Sequence, residues 1–531
     1  MMKFSLKLFF STAILIVSLT VIASADKKGG DLRYAHLQKA KSLDANVWTA
    51  TNAAHIMRQI YDPLVWQPEP GKFLPGLATE WEIEKNGTEF TFQLRRDVKF
   101  HDGTPFDADA MKFTLDRIAD PATRSLQSSR LGPYEKTEIL DSHKIKVYFK
   151  QPWHIFMSNL SEVALAPASP AAIDKMGEKY PLYPVGTGPF KVKEWPDDTT
   201  VILENNREYN WAPSFLNHSG PAYLDTITYK FIEEKSTRLI AFENNEFDIM
   251  DGLPSEDYQR IKEDDDFVLE SFVVPGLPQV MNINVSQGPT KELAVRQAML
   301  YAIDEDMMVN LIFFGASPAA KGPLSSGSWA YYDGVEDLYP YDPEKAKEIL
   351  EEAGWKDNNG DGIREKNGKN LIVRHVTKGD YKNRKPAEFY QAQLKEVGID
   401  AVVEAMAYEA TARRYADNAY EMARLGYALF DAHDTFYLPF HSSQVEGGGQ
   451  FNRSRVIDPK IDDLISKGVA ETDIEKRYEI YKELQMYVME QALFLPSYEV
   501  TFSHVHYPYV KDLKVDLLGR EYFYDVYLDK K

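Results

Sequence analysis

The sequence predicts a mixed α/β fold made of at least two separately packed units, and three features carry that expectation. At 531 residues the chain is too long for one ordinary hydrophobic core. From Phe90 to Leu115, FTFQLRRDVKFHDGTPFDADAMKFTL, Phe90, Phe92 and Leu94 alternate with Thr91, Gln93 and Arg95, the period of a half-buried strand. Asp102-Gly103 then turns the chain, and Asp107 is placed to cap a helix with Ala110, Met111, Leu115 and Ile118 along one face. Helix and strand alternate again far downstream, with a helix over 388–397 and a strand over 399–403.

The first twenty-five residues differ from the rest. Lys3 and Lys7 precede an apolar run over 8–22, and Ala23-Ser24-Ala25 supplies small residues for cleavage, which reads as a secretory signal peptide with Asp26 as the mature N-terminus. That run is shorter than the roughly 20 apolar residues a membrane span needs. The chain has no cysteine, so an exported form is held by its core rather than by disulfides, and it cannot carry a diacylglyceryl anchor. The formal charge is −20, or −22 once the two leader lysines are removed, a balance that argues against nucleic-acid or anionic-membrane partners.

After Gly29-Gly30, residues 32–37 read as a first strand, and Ser42-Leu43-Asp44 turns the chain into a helix containing His55-Ile56-Met57. Asn86-Gly87 is a hairpin signal joining a strand with Trp81 and Ile83 to the Phe90 strand, and a second hairpin is expected at Ser142-His143. Pro184-Val185-Gly186-Thr187-Gly188-Pro189-Phe190 contains a Gly-x-Gly, but the strand-like Lys191-Val192-Lys193 follows, so a structural turn is expected rather than a phosphate loop. A strand at 280–284 leads to a helix near 292–303. Asp342-Pro343 opens a capped helix with Ala346, Ile349, Leu350 and Ala353 as its stripe and Gly354 at its end. Asp357-Asn358-Asn359-Gly360-Asp361-Gly362 begins like a calcium loop, yet its twelfth position is Gly368 instead of a glutamate, which favours a surface turn. A long amphipathic helix over 475–489 presents Tyr478, Tyr481, Leu484 and Val488, and the chain ends on strands over 494–496 and 513–527.

Several of these stretches share more than a pattern. The F-x-L-R-x-x-V-x-F-H-D-G-x-P-F-x-A run at 92–108, Ser42-Leu43-Asp44, Val185-Gly186-Thr187-Gly188-Pro189-Phe190, Arg296-Gln297-Ala298 with Ala302-Ile303-Asp304, and Asp342 to Trp355 resemble, in order, the large extracytoplasmic solute-binding proteins of ABC importers, the dipeptide/oligopeptide-binding family. The resemblance implies an α/β, two-lobed periplasmic-binding-protein clamshell of type II-like form with an additional domain in the first lobe. Lobe I would combine 26–69, 188–279 and 500–531, with 70–187 inserted, and lobe II would be 280–499. It further implies a monomeric, non-enzymatic periplasmic protein that takes no cofactor, captures a di- or oligopeptide by hinge closure and delivers it to membrane permease subunits.

Ligand-contact candidates follow from the same resemblance. Trp48 and Asn52 lie after the first strand, at the mouth of the expected cleft, with simple packing of Trp48 on its own domain as the alternative. At 425–441, LGYALFDAHDTFYLPFH, peptide-binding relatives read like W-x-x-D-Y-x-D-P-x-x-F, with the first aspartate holding the peptide ammonium. Leu429 or Asp431 stands at that place here, depending on where the register is set, and Leu429 is taken as the counterpart. Asp431 and Asp434 are neighbours able to serve instead, and Tyr427, Phe430 and Phe436 offer flat apolar faces. A missing carboxylate also leaves room for an oligosaccharide or another solute without a free amine.

Catalytic signatures are missing: there is no G-x-S-x-G, no H-E-x-x-H, no cysteine and no P-loop. His504 and His506 share one face of a strand, a pair that suits metal, but no third ligand is identifiable nearby, so cargo of the nickel or metal-complex type ranks below peptide. A periplasmic chaperone using the same cleft, or a hydrolase, are the readings from other classes. The leader makes the first testable expectation: N-terminal sequencing of the exported protein begins at or within a few residues of Asp26, whereas an intact Met1 form lodged in the membrane would contradict it.

Overall fold

The computed structural model describes residues 29–48, 51–429, 431–445 and 451–530, so the expected signal peptide lies outside the described residues. Asp31–His36 runs through a seven-stranded sheet, parallel to Thr226–Phe231 on one side and to Ile249–Asp251 on the other. Thr200–Asn205 and Phe190–Asp197 extend one edge, while Thr501–His506 and Val268–Val273 extend the other. A second sheet of five strands follows the order Asp400–Met406, Ile372–Lys378, Met422–Ala428, Gly276–Ile283, Phe494–Tyr498.

Between the first strand and Phe190 the chain builds a four-stranded antiparallel sheet, in which Ala78–Glu84 and Glu89–Leu94 are joined through Asn86 and Gly87 at positive φ (54° and 81°). Lys144–Phe149 and Tyr134–Asp141 complete it, and Asp107 caps the Ala108–Ala119 helix that packs on it by accepting from the Ala110 amide at 3.0 Å. The return of the chain explains the glycines at 186 and 188. A Cβ on Gly186 would come within 2.2 Å of the Ile60 carbonyl oxygen, and one on Gly188 within 2.5 Å of the Ile60 carbonyl carbon. The Gly188 amide instead donates to the Ile60 oxygen, and the His101 amide donates to Gly186. This is a backbone clamp and not a phosphate cradle.

Two apolar cores result. One runs from the first sheet through Phe90, Phe92, Leu115 and Phe156 of the inserted unit, so those two parts share a core. The other gathers residues between Leu277 and Tyr498. The chain leaves the first sheet at Val273 and enters the second at Gly276, and it returns between Tyr498 and Thr501. Residue 280, the expected boundary, falls inside the Gly276–Ile283 strand. The two crossing segments hold each other: the Val274 amide donates to the Val500 oxygen at 2.9 Å, and the buried Glu499 carboxylate accepts from both the amide and the hydroxyl of Ser326.

Beneath the returning strand sits a buried charge cluster. Glu521 accepts from His55 Nδ1 (2.7 Å), from His504 Nδ1 (2.9 Å) and from the Tyr34 hydroxyl, while His504 Nε2 faces the Gly519 carbonyl at 2.8 Å. An imidazole with an acceptor at each nitrogen carries both protons, so His504 is an imidazolium. Burial alone would lower its pKa, but the Glu521 carboxylate outweighs burial and raises it to about 9, and the histidines in turn hold Glu521 well below the usual carboxylate range. A histidine raised above its unfolded pKa of about 6.5 stabilises fully below that value and loses the contribution as pH rises through the folded one. Urea unfolding is therefore expected to show a loss of stability between about pH 7 and pH 10 that a His504→Gln variant does not share, and Glu521→Gln is expected to cost roughly 3–5 kcal/mol at neutral pH.

Candidate functional site

Where the Met422–Ala428 strand ends beside the crossing segments, two cavities open along one stretch of chain. The larger, about 830 Å³, is bounded on one side by Leu126, Arg130 and Trp153 of the inserted unit and on the other by Leu429, His433 and Asp434. It is therefore shared between the two cores. Trp153 meets His433 edge-on across it, with ring centroids 6.1 Å apart. Asp431 opens the Ala432–Phe440 helix by accepting from the His433 amide at 2.8 Å, which projects His433, Asp434 and Tyr437 into the cavity wall.

The smaller cavity, about 460 Å³, lies on the second sheet and is lined by Lys378, Arg424 and Arg453 together with Tyr408, Tyr415, Tyr427 and Phe451. Among the described residues no carboxylate forms an ion pair with any of these three cations. The Nε atoms of Arg424 and Arg453 are buried without a hydrogen-bond partner. Burial, then Arg424 and Arg453, lower the Lys378 pKa, with Asp380 opposing. Arg453 lies over the Tyr415 ring at 4.2 Å and Lys378 over Tyr408 at 5.0 Å. Gly426 leaves room for the end of the Gln279 side chain, whose Nε2 would lie 2.3 Å from a Cβ there. A concentration of unpaired cations with aromatic walls is a seat for an anionic group.

The expected contact residues separate into distinct places. Tyr427 lines the smaller cavity, edge-on to Phe451 at 5.6 Å. Asp434 and Leu429 line the larger one, and the Leu429 amide donates to Pro275 in the first crossing segment at 3.1 Å. Trp48 is half-buried against the first core, one layer behind the larger cavity, where its carbonyl accepts from Gln127. Asn52 belongs to the first turn of the Thr51–Ile60 helix, but its side chain and Phe430 lie outside the described residues.

Two expectations need correcting. Asp431 is buried and its Oδ1 already serves the helix cap and Arg477, each at 2.8 Å, so its charge is neutralised within the protein rather than left for a ligand amine. Phe436 is fully buried in the second core, stacked on Tyr481 at 5.9 Å, because its helical position faces away from the cavity. Sequence reasoning also missed Arg424, Lys378 and Arg453. The available signal was an arginine inside the otherwise apolar run Met422-Ala423-Arg424-Leu425, which invites the question of what it faces.

The histidine pair that suits metal is occupied otherwise, and the Asp357 loop, expected as a surface turn, bonds within itself. His504 is held as above and His506 Nδ1 contacts the Tyr507 carbonyl, while Asp357 accepts from the Gly360 and Gly362 amides of its own turn. Among the described residues no group of three or more His, Cys, Asp or Glu could hold a metal ion, and no described helix is long and apolar enough to cross a membrane.

Residues 72–448 match the family profile described as bacterial extracellular solute-binding proteins, family 5 Middle. The chain belongs to this family. Across family 5, it is 28% identical over 491 residues to the glutathione-binding protein GsiB of Escherichia coli strain K12, covering 90% of this chain and 91% of that one. NikA from Brucella suis, solved with Fe(III)-EDTA, superposes with a TM-score of 0.83 at 26% identity, covering 94% of this chain and all of that one. DppA from Helicobacter pylori, an ABC transporter-associated periplasmic binding protein solved with the peptide STSA, gives 0.75 at 26% identity, covering 95% and 99%. The architecture is thus the two-lobed fold of family 5 with an additional domain on the first lobe, and the chain is an extracytoplasmic binding protein of ABC transport, not an enzyme.

The two aspartates are expected to part under mutation. Asp431→Ala strands the buried Arg477 and removes a cap, costing roughly 3–5 kcal/mol in urea unfolding. Asp434 carries no such duty, and its pKa is raised to about 7 by burial and by the Asp431 carboxylate, against Arg130 and Arg477. An acid raised above its unfolded pKa weakens folding as pH climbs between the two values, so Asp434→Asn at pH 8 is expected to leave stability unchanged or increase it.

Proposed function

We propose that the protein is the periplasmic, monomeric capture component of an ABC importer, and that its cargo is a short peptide or peptide-like solute presenting a carboxylate. The observation that carries the cargo assignment is the smaller cavity, where Lys378, Arg424 and Arg453 converge beside aromatic walls with no ion-paired carboxylate among the described residues. Three half-buried cations held side by side repel one another unless an anion joins them, and a ligand carboxylate fits Arg geometry. A neutral oligosaccharide gives no reason for such a cluster. The glutathione and peptide ligands named for the relatives support the same class.

Lobe I would comprise the first sheet with the C-terminal strands, the inserted unit would span about 70–187, and lobe II would follow the crossing at 274–275 and end at the crossing at 499–500. The signal peptide would be removed and no lipid anchor added. Cargo held on the Arg424 side of lobe II gains contacts to the inserted unit only when the lobes approach, so binding shifts an open-to-closed equilibrium. The closed form is what permease subunits would distinguish.

Native mass spectrometry of protein purified without refolding is expected to reveal a co-purified anionic ligand, and calorimetry with candidate peptides to confirm it. Arg424→Gln is expected to weaken that ligand by roughly tenfold or more, the worth of a charged hydrogen bond, with the fold intact. Small-angle scattering is expected to show compaction at saturation. Unchanged scattering would count against closure, and affinity indifferent to Arg424 would exclude the anion seat.

A further inference from the structure

The smaller cavity holds more positive charge than one ligand carboxylate neutralises. Lys378, Arg424 and Arg453 reach it from three places: the end of the Ile372–Lys378 strand, the Met422–Ala428 strand, and the segment after Phe451. Each is held by packing. Arg453 lies over the Tyr415 ring at 4.2 Å and donates through Nη1 to the Arg424 carbonyl, Lys378 lies over Tyr408 at 5.0 Å, and Arg424 sits beside Tyr498. The Nε atoms of both arginines are buried and have no hydrogen-bond partner.

The acidic groups on neighbouring elements are turned elsewhere. Asp380, just beyond Lys378, accepts from Asn383 with both oxygens, at 2.7 and 2.6 Å. Glu404 on the adjoining Asp400–Met406 strand takes Arg414, and Glu421, next to the Met422–Ala428 strand, takes Arg374. The other charges close by are positive: Lys382 adds its charge to that of Arg424, and Arg455 donates to the Val445 and Tyr415 carbonyls. A carboxylate that grips one guanidinium through two parallel bonds spends both oxygens there and brings one negative charge to three positive ones. The second guanidinium and the Lys378 ammonium still lack a counter-charge. Space is not limiting, since the cavity is about 460 Å³ and a water molecule takes up only about 30 Å³.

We propose that the smaller cavity takes a doubly anionic end of the cargo, the last residue of a peptide that ends in aspartate or glutamate. This rests on the reading that the cavity seats a ligand carboxylate. The terminal and side-chain carboxylates of such a residue are only a few bonds apart, so one residue carries two negative charges into one small space. Arg424 and Arg453 flank one carboxylate with the planar donor forks that match it, and Lys378, a compact charge with three rotatable donors, takes the other. Tyr408, Tyr415 and Tyr427 supply flat faces for the carbon atoms between the two carboxylates.

Calorimetry on the mature protein at pH 7, where both carboxyls are ionised, with the tripeptides Ala-Ala-Glu and Ala-Ala-Gln tests this. The two peptides share a shape and differ by one charge. Ala-Ala-Glu is expected to bind roughly tenfold or more tighter, the worth of one charged hydrogen bond. Lys378→Gln is expected to remove most of that preference with little effect on Ala-Ala-Gln, and Lys378→Arg, which keeps the charge, to retain it; thermal melting checks that each variant is folded. Equal affinity for the two peptides overturns the doubly anionic end, and if Arg424→Gln then weakens both alike, the single-carboxylate seat stands without it. A preference for Ala-Ala-Glu that survives in Lys378→Gln also overturns it, because the second carboxylate is then held elsewhere. Failure of both peptides to bind at millimolar concentration overturns this inference and the peptide reading together.

Discussion

The structure depends on a constraint of chain path: in the described residues the polypeptide passes between the two sheets only twice, at 274–275 and at 499–500, and the two passages are hydrogen-bonded to each other. Each lobe keeps its own core, one reaching through the inserted unit and the other confined to residues between Leu277 and Tyr498. Approach of the lobes therefore changes few backbone angles and breaks no packed interior, as hinge motion requires. The cleft inherits its position from this. Leu429 bonds to Pro275 in one passage, so the strand carrying Arg424 and Tyr427 ends at the hinge.

Charge is distributed on two scales. The whole chain is strongly acidic, which favours solubility, while the smaller cavity concentrates three cations. Surface carboxylates act through water and salt and fade over about a Debye length, roughly 8 Å at physiological ionic strength. Within the cavity, screening is weak and local sign dominates. A strongly acidic chain can thus still present a locally cationic cavity.

The stretch that most plainly marks the family, around Phe90 to Leu115, lines neither of the two cavities. Its His101 amide and ring bind the Gly186 and Gly188 carbonyls, and Asp102 accepts from Thr104 and Ser169. It fastens the inserted unit to the point where the chain returns to the first sheet, which accounts for the Gly-x-Gly there without any ligand. Recognisable wording in a sequence can record a fastening as readily as a site.

Local rules sufficed for what local forces decide. The hairpin at Asn86-Gly87, the caps at Asp107 and Asp342, and the strand alternation at Phe90 follow from backbone preferences and hydrophobic period, and all are legible in one dimension. The division of labour between Asp431 and Asp434 was not, since both sit at the start of one helix. Arg477, 46 residues beyond Asp431, takes that carboxylate, and Asp434 has no such partner among the described residues. Likewise Phe436 looks like a ligand platform until Tyr481 stacks on it, and Arg424 is only an odd residue in an apolar strand until Lys378 and Arg453 arrive from other elements. Electrostatic and packing energies depend on distance in space and not along the chain, so the sequence determined the scaffold and tertiary structure alone decided which charges were paired inside the protein and which were not.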